Sequence, residues 1–463
     1  MRGKGRGNDG MTPVERRAAL GLGAIYALRM LGLFLILPVF ALYAETLEGF
    51  RPELVGLAIG AYGLTQALLQ IPFGLLSDHI GRKPVIVGGL LVFAAGSVVA
   101  ALADSMGGVI LGRALQGAGA IAAAVMALAA DLTREEHRTK AMAMIGVSIG
   151  AAFMASLVAG PVLEAWIGVR GIFWLTAGLA LAGIGVLAWV VPQPVRSTVH
   201  RDAEPVPAQL RLVLADGQLL RLDVGVLCLH AIQTSVFVAL PLELRDSLGL
   251  PTHQHAALYA VVLVVSVALM VPFVILAERG RRMRQVLTGS VLVLALSLVG
   301  LAEYREGLLG VGLMLVVYFA AFNMLEATLP SLVSRMAPPQ AKGSAMGAFS
   351  SSQFFGAFLG GVMGGLAQRH WGPEGVFLAG ALLAALWFLV AWTMRAPRYL
   401  SSEVVRVAVD GPEAARRLAM RLTAVRGVAE AVVVPEEGVA YLKVDPAALD
   451  RAALRAVAGG DSP

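Results

Sequence analysis

The feature that most constrains this chain is the length of its apolar runs. Residues 84–103 read PVIVGGLLVFAAGSVVAALA and carry no charge. About 20 apolar residues coiled as a helix cross the ~30 Å hydrocarbon core of a bilayer. Comparable runs recur at roughly 20–44, 53–75, 107–131, 139–166 and 171–192. They continue at roughly 219–244, 254–277, 285–303, 307–334, 343–368 and 375–395. Inside lipid, backbone N–H and C=O groups must be satisfied without water, which leaves helices and closed barrels. A barrel would show short alternating segments instead. The pattern therefore predicts an all-α polytopic membrane protein with twelve transmembrane helices. The composition agrees: 57% of residues are hydrophobic and only 15% charged, against about 25% charged in a soluble domain.

The polar stretch 193–216 divides the runs six and six, so the predicted bundles cover residues 1–192 and 217–397. An even number of spans puts both termini on one side. Loops on that side hold Arg82, Lys83, Arg134, Arg138, Lys140, Arg281, Arg282 and Arg335, while the opposite loops hold few cations. The positive-inside rule places the basic side, and both termini, in the cytoplasm. The net charge of +6 is thus a topology signal, and no nucleic-acid partner is expected.

The halves echo each other. QIPFGLLSDHIGRK at 70–83 ends the second run and VPFVILAERGRR at 271–282 ends the eighth. Parallel halves of this kind suit a transporter whose central site lies between two bundles. After Arg395 charge density rises. Residues 403–463 read as strand (404–409), helix (412–425), two strands (428–434, 438–444) and helix (446–457). This βαββα order fits a small soluble α+β ferredoxin-like domain.

Ionisable residues inside spans are costly, about 2.5–3.5 kcal/mol at mid-depth, and so mark function. Arg29, Arg113, His230, Glu243 and Glu326 fall within spans, and Gln66 and Gln70 share one face of the second. The plainer readings are that His230 donates to a backbone carbonyl, that Arg113 braces the bundle and that Glu243 is solvated near a span end. Glu326, flanked by Leu325 and Ala327, needs a proton or a partner. The single cysteine, Cys228, rules out an internal disulfide and a Cys-based metal site. There is no P-loop and no cluster with metal-ligand spacing, so no metal, no cofactor and no enzymatic chemistry are expected.

The string Gly74-Leu75-Leu76-Ser77-Asp78-His79-Ile80-Gly81-Arg82-Lys83 resembles motif A of the major facilitator superfamily. LGRALQGAGAIAAAVMALAADLT (111–133), with Arg113, resembles motif B. The fifth run, with Gly146, Gly150 and Gly160-Pro161, resembles motif C of the drug/proton antiporter branch. Taken with the C-terminal domain, the resemblance is nearest to the YajR group of drug-exporter-like transporters. The chain departs from the motifs at His79, usually Arg, and at Ser156 and Glu164-Ala165, where glycines are usual.

The resemblance implies proton-driven efflux of small, lipophilic molecules by alternating access, from a monomer in the inner membrane. Gly74, Asp78, Gly81, Arg82 and Lys83 with Asp131 would form a conformational latch. Independently of the resemblance, desolvation of Glu326 in the tenth run favours its protonated form and marks it as the proton-coupling carboxylate, with His230 or Arg29 offering a partner in one conformation. Arg113, Gln66 and Gln70 would belong to the central cavity. Proton-linked metabolite import and a transporter-like sensor without flux remain open at this stage.

Overall fold

The computed structural model describes residues 10–193, 207–304, 307–338, 341–395, 401–407, 409, 411–435, 438–445 and 448–458. Most of the linker 193–216 and the last residues of the C-terminal domain lie outside them. The chain divides into two compact units, Met1–Arg395 and Ala396–Pro463.

The first unit is helical. Its first half comprises α1 (Pro13–Phe34), α2 (Phe40–Ala44), α3 (Pro52–Ile80), α4 (Arg82–Leu102), α5 (Met106–Ala118), α6 (Ala122–Asp131) and α7 (Glu135–Trp189). After α8 (Pro207–Ala215) come α9 (Gly217–Asp246), α10 (Thr252–Arg279), α11 (Met283–Glu303), α12 (Leu308–Met336) and α13 (Lys342–Trp392). Helix starts follow local chemistry. Thr12 caps α1 and forms a reciprocal capping box with Glu15, ahead of Pro13 at the first helical position. Asp216 caps α9 through the Gln218 and Leu219 amides.

Helices α7 and α13 are each two spans. Gly168 (φ 67°) and Gly372 (φ 67°) interrupt them in a backbone region that favours glycine. In α7, Ser148 lies against Gly23 and Ser156 against Leu31, after which Thr176 returns to Gly32. In α13, Gly356 meets Leu227 and Gly364 meets Ser235, then Gly380 comes back to Ile232. Each helix therefore runs out along its partner and back, and the spans number twelve.

Two spans differ from the continuous helices expected. The first breaks between α1 and α2, where Pro38 has no N–H and its ring excludes the carbonyl four residues earlier. The fourth breaks between α5 and α6. There the Gly119 carbonyl, freed from the helix, accepts from Arg29 Nη2 at 3.1 Å. The linker also contributes a helix, α8, where only a polar stretch was expected.

In each half the helices pack chiefly on their own neighbours: α1 on α7 and α4 on α5 in the first, α9 on α13 and α10 on α12 in the second. The halves meet along α3–α13 and α7–α10.

The second unit has strands β1 (Ser401–Arg406), β2 (Val428–Val434) and β3 (Val439–Val444), with α14 (Pro412–Thr423) and α15 (Arg451–Ala458). The sheet is antiparallel in the order β1-β3-β2. Ala440, Leu442 and Val444 of β3 alternate into a core with Leu418, Leu422 and Leu454. The βαββα order is the one expected, with β1 starting three residues early and α15 five residues late.

Candidate functional site: a polar pair between two helical halves

One end of the first unit carries the start of α1 and the end of α13; this is the terminus end, and the opposite one the far end. Motif A sits at the terminus end. Gly81, at φ 96°, joins α3 directly to α4. The tight turn folds Arg82 back over the last turn of α3. Its Nη1 donates to Ser77 Oγ (2.8 Å) and pairs with Asp78, and its Nε reaches Asp131 Oδ2 at 3.5 Å. The Arg82 and Asp131 side chains are 1% and 0% exposed. Asp78, Arg82 and Asp131 thus form one buried charge cluster joining α3, α4 and α6. Ser77 Oγ donates onward to the Gly74 carbonyl. Lys83 does not join them: its Nζ donates to the Leu187 and Val191 carbonyls at the end of α7, an interaction favoured at a helix C-terminus. His79 turns back to the Leu75 carbonyl.

The first half also buries two guanidinium groups. Arg29 Nη2 donates to Gln66 Oε1 (2.6 Å), and Gln66 Nε2 donates to Gln70 Oε1. Arg113 Nη1 donates to Gln116 Oε1 (2.7 Å), which holds Ser97 in turn. Both guanidinium carbons lie over the Tyr62 ring, at 5.6 and 5.3 Å, and Arg29 also lies over Phe93. Among the described residues neither Arg meets a carboxylate. Aromatic faces and amide oxygens compensate the charges, and a desolvated cation–π contact is worth about 2 kcal/mol. Arg29, Arg113, Gln66 and Gln70 are all buried, so in this conformation they stand inside the first half and do not line an open cavity.

The second half contributes a smaller, more accessible group. His230 on α9 hydrogen-bonds the Val226 carbonyl through Nδ1, as the plainer reading had it. Its other nitrogen, Nε2, faces Gln353 Nε2 of α13 at 2.8 Å and Glu326 Oε2 of α12 at 3.6 Å. The Glu326 side chain keeps 40% of its surface exposed, despite its place in an apolar span. Phe322, one turn before Glu326, ties the pair to the other half. Its ring lies 6.2 Å from His230 and 5.9 Å from Phe153 of α7, which packs edge-on against Phe34 of α1. A carboxylate and an imidazole therefore share an aromatic wall at the boundary of the halves. The structure does not bring Arg29 to them.

The far end is closed by contacts between the halves. Arg245 Nη1 of α9 donates to Glu45 (2.6 Å), and Arg369 Nη1 of α13 donates to Glu53 of α3 (2.7 Å). Below these pairs α3 and α13 touch backbone to backbone. A Cβ at Gly56 would strike the Gly361 carbonyl, and one at Gly63 the Phe354 carbonyl. At the terminus end the described ion pairs stay within one half: Arg82 with Asp78 and Asp131, Arg134 with Glu15, and Arg335 with Glu278.

Comparison with known proteins agrees with this two-half architecture. The pattern of the Major Facilitator Superfamily matches residues 22–361 and 222–434. The chain belongs to the major facilitator superfamily. It is 49% identical to the inner membrane transport protein YajR of Escherichia coli (strain K12), over 95% of this chain and 97% of that one. It is 29% identical to the multidrug resistance protein MdtH of Aeromonas hydrophila, over 77% of this chain and 90% of that one. Among solved structures, a bacterial homolog of the human lysosomal transporter Spinster, inward-facing and occupied, superposes with TM-score 0.67 at 13% identity. That match covers 83% of this chain and 97% of the other. Major facilitator proteins are transporters, so this chain is a membrane transporter of small molecules and not an enzyme.

Within this family fold, two sequence readings change. Gly146 and Gly150 of motif C face open space, and only Gly160 makes a close contact, with the Leu35 carbonyl and Pro38. Glu243 is not solvated: it is 2% exposed, and its Oε1 has no hydrogen-bond partner among the described residues. His255, also buried, lies in the first turn of α10 against the Leu250 carbonyl. Two residues were missed. Gln353 signals itself only as an amide inside an apolar run. Asp223, 5% exposed on α9, lies seven residues before His230 and so on the same helix face.

Proposed function

We propose that the chain expels small, lipophilic molecules across the inner membrane in exchange for protons, by alternating access, with both termini in the cytoplasm. The observation that carries this reading is the Glu326–His230 pair. It is a titratable couple at the boundary of two rigid halves, beside an aromatic wall suited to apolar substrate. Protonation of either member changes what the other can accept. When Nε2 accepts a hydrogen bond from Gln353, His230 is neutral; once protonated there, it donates to Glu326 instead.

Alternation is supported by the uneven distribution of cross-half contacts. Rocking the halves would part Glu45 from Arg245 and Glu53 from Arg369, and would bring the motif A cluster against the second half. Asp78, Arg82 and Asp131 then serve as the latch of the opposite state, with Gly74 and Gly81 setting the geometry of the turn and Lys83 anchoring it to α7. Arg29, Arg113, Gln66 and Gln70 give the first half a fixed positive interior. Glu326 approaches that interior in one conformation only, and its proton affinity would alternate with the cycle. The direction of transport is read from MdtH, named for multidrug resistance, and the membrane from YajR, named for the inner membrane.

Flux of a lipophilic fluorescent dye in proteoliposomes, with an imposed pH gradient, tests the reading. Dye moving against the proton flow supports it. Dye moving with the protons would replace it with symport, and protein-independent leakage alone would leave a membrane sensor.

A further inference from the structure

We infer that the groove between the first turns of α9 and the last turns of α13 binds an anionic phospholipid. The groove is shallow and open on its outer side, with a volume of about 520 Å³, at the terminus end of the second half. Its wall is apolar, formed by Leu220 and Val224 of α9 with Leu389 and Val390 of α13. Leu220 and Leu389 are 46% and 63% exposed, which in a membrane-embedded chain means contact with acyl chains.

Arg221 stands at the rim. Its Nε donates to Thr393 Oγ1 (2.9 Å) and its Nη1 to the Gly217 carbonyl (2.5 Å). Its Nη2 makes no hydrogen bond among the described residues. The pseudo-equivalent residue of the first half shows what is different here. Arg17, at the start of α1, spends its Nη2 on the Trp189 carbonyl at the end of α7 (2.7 Å). In the second half the matching carbonyl, Trp392, is taken by Arg284 of α11 (2.7 Å). Arg221 is therefore pinned in place with one nitrogen unspent.

Among the described residues no carboxylate pairs with Arg221. Asp223, two residues on, is buried at 5% exposure, and Asp216 is occupied as the cap of α9. Arg395, exposed at the end of the unit, is held beside the same turn by its backbone N–H, which donates to Gln218 Oε1 (2.9 Å). A guanidinium fixed in this way presents the N–H donors of Nη2 to a phosphate oxygen, a charge-assisted hydrogen bond. Basic groups at the terminus end face the anionic cytoplasmic leaflet under the orientation proposed above. A headgroup phosphate on Arg221 would leave its acyl chain in the apolar groove. Free phosphate would use the cation and leave the groove empty.

Native mass spectrometry of the full chain tests this. Delipidated protein is offered phosphatidylglycerol and phosphatidylcholine in equal amounts. The expected result is preferential retention of phosphatidylglycerol, reduced about fivefold in Arg221→Ala, the effect of one basic group near an anionic surface. Val224→Trp, which fills the groove and keeps the cation, should lower retention of the same lipid. An unchanged lipid ratio in Arg221→Ala, or full retention in Val224→Trp, would overturn the site. So would displacement of the lipid by millimolar inorganic phosphate, which would show that the acyl chain contributes nothing.

Discussion

Arg369 on α13 and Glu53 on α3 meet at 2.7 Å across the boundary between the halves, directly above the place where Gly365 approaches the Glu53 backbone and Gly361 approaches Gly56. The two kinds of contact differ in strength. The ion pair is partly exposed, 53% on the Arg side, and such pairs are worth about 0–1 kcal/mol. The glycine contact is dry and tolerates no added atom. The packing should therefore hold the far end shut, and the charges should align it.

Arg369→Ala is expected to shift the balance of states modestly, about fivefold at most. Gly56→Ala should shift it much further, since overpacking costs about 1–3 kcal/mol. Spin labels on Arg51 and His370, both exposed at the far end, would report it as a longer-distance population. Equal distance distributions in wild type and Gly56→Ala would show that this seam is not the closing contact.

The motif A cluster makes a different prediction, because it is buried and lies within one half. Removing Arg82 leaves Asp78 and Asp131 without their shared cation, and breaking a buried pair costs about 3–5 kcal/mol. Asp78 retains 18% exposure, so the lower end of that range is expected. Arg82→Lys should recover little. One ammonium cannot serve Ser77 and Asp78 on one side and Asp131 on the other, as the guanidinium fork does. Thermal unfolding in detergent should rank wild type above Arg82→Lys, with Arg82→Ala close below it. A lysine variant as stable as wild type would show that charge alone suffices.

Much of this fold was legible in the sequence because the bilayer permits few alternatives. A run that spans it must be a helix, so hydropathy located all twelve spans, and the in-chain echo of Pro72-Phe73 and Pro272-Phe273 marked the halves. The breaks at Pro38 and Gly119 were not legible. Proline and glycine inside spans are tolerated when neighbouring groups satisfy the freed backbone, and that partner, Arg29, is ninety residues from Gly119. Motif A was readable because Asp78 and Arg82 are local in sequence. Gln353 was not: its role comes from the register of α13 on α9, which no single run encodes. Glu243 was misread because distance from a span's centre says nothing about how deeply a side chain is packed among neighbouring helices; it is 2% exposed.

At the start of α1, acid sensitivity is expected. Hydrogen bonds from the Arg134 side chain, its amide and Thr12 hold the Glu15 carboxyl well below the usual carboxylate range, against the opposing effect of burial. A lowered folded-state pKa means the contribution is present above the ordinary value of 4.5 and is lost as pH falls below it. Glu15→Gln should cost about 1.5–3 kcal/mol at pH 7, the range for hydrogen bonds to a charged group. The variant should lose less stability than wild type between pH 5 and 3 (roughly the window below an ordinary carboxylate pKa). Parallel acid profiles of the two proteins would remove Glu15 from the account.

Glu326 carries the prediction on which the proposed mechanism depends. It meets His230 Nε2 at 3.6 Å, the same nitrogen that Gln353 faces, so its charge and the imidazole proton are linked. In exchange, a proton must enter from one solution and leave to the other. A carboxylate that is accessible in one state and meets a different electrostatic partner in the next does this without further machinery. Glutamine at 326 mimics the protonated acid and keeps its shape. Because the side chain is 40% exposed, Glu326→Gln should fold and insert as wild type does, with little change in melting temperature. Its gradient-driven flux should fall to the level of liposomes without a gradient, while substrate still equilibrates downhill. If Glu326 instead served only to bind a cationic substrate, the variant would change its preference among dyes and keep its dependence on the gradient. His230→Gln, which preserves a donor and an acceptor but cannot be protonated, separates the two further. It should weaken coupling if the pair shares the proton, and leave it intact if Glu326 acts on substrate alone. Gradient-driven flux of Glu326→Gln equal to wild type across pH 6–8 (roughly the operating range of a general acid or base tuned to neutrality) would exclude the carboxylate as the proton carrier.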